Sequence, residues 1–403
     1  MFLKISRILP VVLLVSLLLV LPINLAESKK TITTLDLTTF EGTQSAASDI
    51  NNIGQVVGVW YEAPPATGPT PVHAFVWQKG VKTNLAPLAD QITSDAVSIN
   101  DIGQIAGFCR TPNPDYPSAS NPQPPAYLPH AVMWTNPATI ISLETLPGIK
   151  ASESRDINRI GQVVGMIEEV QFIQIAEPPA PMTSFLVPVN AFLWSQESGM
   201  TILDIELAEG EVGCTASGIN DQGTVVGYTL TPNENGVPIP HRGFIWNPAA
   251  GTTFLDFPSG ATLMVVSEIN NKEQVIGFWA TSSDSNRHGF IWTAKTGFTE
   301  IPALEGGNEV LPLEISDNGQ VAGICSMIGE PRYPPTFERG FIFDSKKSEL
   351  ISLPPLQGDD ASTARGLNNQ GKVVGTSVKY SLIYDEGEVI GYRAEINAVQ
   401  WTT

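Results

Sequence analysis

A chain of 403 residues with 41 acidic against 22 basic side chains carries a formal charge of −19, a field that disfavours nucleic acid and anionic lipid as partners. Three cysteines, Cys109, Cys214 and Cys325, do not make a disulfide framework or a zinc site, and they read as small buried residues. Length alone allows two or three domains, but internal repetition overrides that expectation.

Residues 1–26 stand apart from the rest. Lys4 and Arg7 precede an apolar run from Ile8 to Leu21, closed by Pro22 and Asn24, with Ala26 standing before a charged segment that starts at Glu27. This is the order of an export signal cut after Ala26, and it predicts a secreted protein, extracellular or periplasmic. Asn24 stands where a small residue is usual, so an uncleaved anchor is the alternative. No later apolar stretch approaches the ~20 residues of a membrane span. Removing the segment takes away two basic residues and no acidic one, so the mature chain is more acidic still.

After a strand-like segment, TITTLDLTTFEG at 31–42, one pattern recurs seven times. Its first copy is DINNIGQVVG (49–58) followed by HAFVW (73–77). The others begin INDIGQIAG (99–107), INRIGQVVG (157–165), INDQGTVVG (219–227), INNKEQVIG (269–277), ISDNGQVAG (315–323) and LNNQGKVVG (367–375). The spacing averages about 53 residues, close to the period of a four-stranded propeller blade.

Each part of the repeat has a physical reading. Asn-x-x-Gly matches a tight turn in which Asn caps the first position and Gly takes the left-handed conformation, so it joins two antiparallel strands. Ser316 replaces the Asn in one copy and Glu273 replaces the Gly in another, which predicts strain or an altered turn there. Gln-Val-Val-Gly supplies a β-branched second strand whose closing glycine (Gly58, Gly107, Gly165, Gly227, Gly277, Gly323, Gly375) implies close packing or a bulge. The third strand places six of the eight tryptophans at one position (Trp77, Trp134, Trp194, Trp246, Trp292, Trp401) with Phe343 in the seventh, as core between blades and not a stacking platform. A fourth strand ends in Leu-x-x-Leu-x-Gly, as in LETLPG (143–148).

The seventh copy stops at Trp401 and has no fourth strand. Leu37, Phe40 and Gly42 match Leu143, Leu146 and Gly148, so the N-terminal segment is expected to complete the last blade and close the ring. The fold predicted is therefore all-β: a seven-bladed β-propeller of four antiparallel strands per blade, spanning 27–403 as one domain. Its blades fall at about 45–90, 91–148, 149–210, 211–260, 261–307, 308–358 and 359–403 plus 31–44.

The INxxGQVVG and HAFxW pattern resembles the bacterial extracellular HAF-repeat family, whose triplet stands here as His73, Ala74, Phe75 and is HAV, NAF, RGF, HGF or NAV elsewhere. The resemblance covers 31–403 and implies an exported, propeller-like repeat protein. It carries no activity or site residues to transfer.

Function is expected on the face opposite the Asn-x-x-Gly turns. There the second-to-third-strand connections, at 59–72, 108–129, 166–189, 228–241, 278–287, 324–338 and 376–396, read as Pro-rich loops, and proline lowers the entropy cost of holding a binding shape. Candidate ligand-binding aromatics on them are Trp60, Tyr61, Tyr116, Tyr127, Trp279, Tyr333, Tyr380 and Tyr384, suited to sugar rings or peptide segments. His73, His130 and His288 share a repeat position with Asn190, Arg242, Arg339 and Asn397, which reads as hydrogen-bonding scaffold. Asp49, Asp156, Glu268 and Glu314 share the position before the Ile-Asn pair, facing the channel, as weak cation candidates. Loop carboxylates Glu62, Asp115, Glu168, Asp284 and Asp385 offer an acid and base, but no spacing selects two of them. No nucleophile elbow, phosphate loop or HExxH motif is present, and no cofactor is expected. These features predict a monomeric, non-catalytic recognition scaffold for a glycan, peptide or protein. The alternatives are a polysaccharide-acting propeller enzyme that uses loop carboxylates, and a passive cell-envelope protein.

Overall fold

The turn motif dictates the local structure: a short polar run with a left-handed residue, flanked by β-branched stretches, reverses the chain into an antiparallel pair. The computed structural model describes residues 32–37, 44–63, 70–89, 91, 93–116, 125–144, 146–173, 183–282, 286–328, 336–385 and 388–402, and every regular element among them is a β-strand. The export-like segment 1–26, Phe40 and Gly42 lie outside the described residues.

Consecutive strands build four-stranded antiparallel sheets. Ala151–Ile157, Val163–Ile173, Thr183–Ser195 and Gly199–Ile202 form one, and similar sets run from Gly213, from Ala261 and from Gly307. The strands from Ser45 to Ser142 form a larger sheet, two such sets joined by a single parallel bridge between Val72 and Thr93. In the remaining sheet Thr33–Asp36 lies beside Glu388–Thr402, followed by Lys372–Asp385 and Ala361–Leu367. Thr33 pairs with Thr402 and Asp36 with Val399; Leu37, buried, extends the ladder by donating its N–H to the Ala398 carbonyl at 2.9 Å. The architecture is all-β and propeller-like, and the first and last strands among the described residues share one sheet.

Apolar residues between sheets form the core. Trp134 and Trp401 are fully buried, and each indole N–H donates at 2.7 Å to a carbonyl of the preceding repeat, Ala86 and Pro354. The small residue of the triplet is needed because the next sheet passes close by: a methyl on Gly243 would lie 2.6 Å from Val266. The Ala74 and Ala398 N–H groups donate to Ser94 and Ser45 of the following repeat, the latter across the chain ends at 3.1 Å.

In all seven repeats the innermost strand slips by one residue opposite the closing glycine, at Ala47/Asp49, Ala96/Ser98, Ser154/Asp156, Ala216/Gly218, Val266/Glu268, Pro312/Glu314 and Ala364/Gly366. Close packing and a bulge therefore coincide. A methyl on Gly58 would sit 2.0 Å from the Ala46 carbonyl oxygen.

Three segments read from sequence as loops, 166–189, 228–241 and 376–396, are corrected by the structure. They are largely strand, with pairing carried out to Ile173–Thr183, Pro232–Pro238 and Asp385–Glu388. Extending the ladder gives alternate backbone N–H and C=O groups a partner that a loop would have to find in water. Tyr380 and Tyr384 accordingly lie on a strand, as do Trp60, Tyr61, Tyr127 and Trp279.

Glu273 holds the left-handed turn position, φ 57°, and the turn closes as in the glycine copies, with Glu273 N–H donating to the Asn270 carbonyl at 3.1 Å. Glu273→Gly is therefore expected to raise stability by about 1 kcal/mol. Urea denaturation midpoints of the two proteins check this.

Candidate functional site

The turn asparagine does two jobs. Asn51 Oδ1 accepts the Gln55 N–H, which closes the turn, while Nδ2 donates to Gln55 Oε1 at 2.8 Å and to the Asn100 carbonyl of the next repeat at 3.0 Å. The same link runs from Asn100 to Asn158, Asn158 to Asn220, Asn220 to Asn270, Asn270 to Ser316 and, across the chain ends, Asn368 to Asn51. Ser316 makes no such link, because its short hydroxyl stays within its own turn. The next residue adds a second series of links. The N–H of Arg159 donates to Asp221, Asp221 to Asn271, Asn271 to Asp317, Asp317 to Asn369 and Asn369 to Asn52. The turn face is thus tied repeat to repeat by groups whose hydrogen bonds are already used.

Two cavities lie between the innermost strands. One, of about 380 Å³, opens among the turn asparagines; the other, of about 690 Å³, opens on the loop side. Both are lined by Asp49, Ser98, Asp156, Glu268 and Glu314, which form a waist between them. The bulge makes this possible. In a regular strand successive side chains face opposite ways, yet Ser48 and Asp49, Arg155 and Asp156, and Leu313 and Glu314 all line the loop-side mouth.

The waist is built from neighbours that fit around one another. Asp49 Oδ2 accepts the Ile99 N–H and Asp156 Oδ2 the Ile219 N–H, each at 2.8 Å and each in the following repeat. Ser98 Oγ donates to Asp156 at 2.7 Å and lies 3.3 Å from Asp49. The Glu268 carboxylate occupies the space over Gly218, where a methyl would come within 2.2 Å of its oxygen, and a methyl on Gly366 would lie 2.6 Å from the Asp49 Cα. The two glycines therefore make room for the acids beside them.

Burial raises all four carboxyls. Asp49 is pushed up to about 6 against the opposing N–H groups of Ile99 and Ile50. Asp156 is also raised, and Glu268 and Glu314 stand well above the usual carboxylate range, through burial first and then mutual repulsion with the other acids. The folded state therefore holds protons that the unfolded chain has released above ~4. Their contribution to stability is present in full below that value and is lost as pH rises through about 6 and beyond. The protein is expected to have a higher urea midpoint at pH 5 than at pH 8, and Glu268→Gln with Glu314→Gln to reduce that difference. Among the described residues no group of three or more His, Cys, Asp or Glu has the geometry to hold a metal ion.

The sequence candidates separate into distinct places. Tyr61 and Tyr380 line the loop-side mouth with Arg155, Arg365, Asp95 and Glu338. Strand alternation turns Trp60 the other way: it stacks on His73 at 4.6 Å between ring centroids, donates to Asn84 at 3.1 Å and carries Lys82 over its ring at 4.0 Å. Trp279 packs in a core cluster against Phe290 and Phe298. Tyr116 and Tyr384 are exposed and Tyr127 half-buried, none of them on the mouth; Tyr333 lies outside the described residues. Of the loop carboxylates, Glu62 binds His73 at 2.8 Å, Asp115 and Glu168 line a separate cavity, and Asp284 and the Asp385 side chain lie outside the described residues. The other histidines also meet carboxylates, His130 at Glu144, His241 at Glu211 and His288 at Glu300. Among the mouth residues that no sequence motif marks are Arg155 and Arg365. Both stand at the bulge position, one residue before the channel position, and that shared place in the repeat was the available signal.

No protein-family model and no curated protein matches the sequence. Among solved structures, the chain is similar to a catalytically inactive virginiamycin B lyase from Staphylococcus aureus with quinupristin, at 10% identity and TM-score 0.49 over 93% of this chain and 99% of that one. It is also similar to an acylaminoacyl peptidase from Pyrococcus horikoshii, at 10% identity and TM-score 0.51 over 91% of this chain and 52% of that one. The Dos1 propeller aligns at 11% identity and TM-score 0.37 over 75% of this chain and 72% of that one. The chain spans about half the length of the peptidase. At such identities the likeness concerns the fold alone.

Proposed function

We propose that the chain is an exported seven-bladed propeller of the HAF-repeat kind, and that it acts as a non-catalytic recognition scaffold for a glycan, peptide or protein at the loop-side mouth. The blade count is supported by seven sequence copies with a bulge at the same place in each. One observation carries the recognition reading. Two tyrosines, two arginines, an aspartate and a glutamate from five repeats converge on one open mouth of about 690 Å³, whereas the asparagines of the opposite face already spend their hydrogen bonds on one another. Phenol faces and the exposed Arg365 guanidinium on the rim suit polar ligands that bear hydroxyl or carboxylate groups.

A glycan and peptide array probed with the chain from Glu27 onward tests this reading. Binding without turnover is expected, and Tyr61→Ala with Tyr380→Ala should weaken it by about tenfold or more. Release of reducing ends from a polysaccharide, abolished by one carboxylate substitution, would establish an enzyme in its place. Neither binding nor turnover would favour the passive envelope role.

A further inference from the structure

A cavity of about 990 Å³ opens at the seam between the second and third repeats and shares no lining residue with the channel. A second bulge shapes it. Ile167 pairs with Asn190 but Glu168 pairs with Pro188, which leaves Val189 unpaired and facing the space. Leu128, Ile149, Val170, Val189, Phe172 and Ile202 give it apolar walls, the last two exposed at its edge.

Glu168 also lines this cavity. It is only 6% exposed, and its Oε2 has no hydrogen-bond partner. Buried carboxylate oxygens are costly to leave unpaired, and native proteins rarely do so without a use. The cations nearby are already engaged: Arg155 with Glu153 at 3.1 Å, Arg110 with Asp95 at 3.0 Å, and Lys150 with Asp115 at 3.4 Å. Glu169 adds a further negative charge at the same cavity. The site is therefore apolar in its walls, acidic in balance and open to one more positive group.

We infer that this seam binds a hydrophobic organic cation, an amine or guanidine carried on an apolar body, with the body against Leu128, Ile149 and Phe172 and the charged head paired to Glu168. The site lies apart from the channel mouth and does not depend on the recognition reading given for it. Burial, and then repulsion from Glu153, push the Glu168 carboxyl up to about 7, so at neutral pH a cation arriving there displaces a proton.

Calorimetric titration with 4-phenylbutylamine, against the alcohol and carboxylate of the same skeleton, tests the assignment. The amine is expected to bind at least about tenfold more tightly than the alcohol, and the carboxylate not at all. Near pH 7 the amine's binding enthalpy should vary with the ionisation heat of the buffer, the mark of a released proton. Glu168→Gln should abolish both the preference and the proton release while keeping or raising the melting temperature. Phe172→Ala should weaken the amine yet keep the proton release, which makes the test independent of whether the glutamine variant folds. Equal affinity for amine and alcohol, no binding at millimolar concentration, or unchanged amine binding in a folded Glu168→Gln protein would overturn the proposal.

Discussion

A chain beginning at Gln44 is expected to lose about 3–5 kcal/mol of stability relative to one beginning at Glu27, and to aggregate. Leu37 alone buries a side chain worth ~2 kcal/mol, and the ladder from Thr33 to Asp36 covers the whole outer edge at Val399–Thr402. Without it that edge presents unpaired N–H and C=O groups at the strand that carries Trp401, a ready template for another chain. Urea denaturation of the two proteins reads the first effect, and light scattering of the native samples reads the second. Coincident midpoints would show that the N-terminal strand is a passenger.

The second large effect is expected at the closing glycine of the second strand. A methyl at Gly227 would lie 2.0 Å from the Thr215 carbonyl oxygen and 2.6 Å from the Phe244 ring, and the carbonyl belongs to a bulged strand that cannot retreat without moving the channel position Gly218. Gly227→Ala is expected to cost about 3 kcal/mol or more. Gly391→Ala, in a strand with nothing within 4 Å of the added methyl, provides the control and should stay within about 0.5 kcal/mol of the parent. Thermal or urea denaturation of the pair checks both; equal losses would mean that the glycine serves something other than close approach.

Much of the architecture was legible because the repeat exposes it seven times. The turn geometry at Asn51–Gly54, the need for a small residue at Gly227 and the complementarity of Leu37 with the last repeat all follow from local stereochemistry, which a sequence pattern records directly. The second role of the asparagines was not legible. A capping Asn and an Asn that also donates to the next repeat, as Asn51 does to Asn100, are the same letter, and only the ring geometry separates them. The lengths of 166–189 and 376–396 misled for a related reason: a polar stretch that continues a ladder resembles one that leaves it.

The candidate site was less legible than the fold. Trp60 and Tyr61 are adjacent and equally aromatic, yet alternation sends one onto His73 and the other to the mouth. The acid position was readable as facing the channel, whereas the crowding that sets Glu268 over Gly218 depends on neighbouring sheets more than forty residues apart in sequence. Glu168 carries no motif at all. Its significance arises from a bulge and from the prior engagement of Arg155, Arg110 and Lys150, facts of three dimensions.

Ring closure can be measured with paired spin labels on the exposed turn tips, one always at Ile53 and the other in turn at Ile102, Ile160, Gln222, Lys272, Asn318 and Gln370. The Asn369 N–H donates to Asn52 at 2.8 Å, and Asn52 in turn donates to Asp101 at 2.8 Å, so the first turn has neighbours on both sides. The distance from Ile53 should therefore rise to a maximum at Gln222 and Lys272, then fall again until the Gln370 value matches that of Ile102. A distance that grows at every step through Gln370 would contradict ring closure.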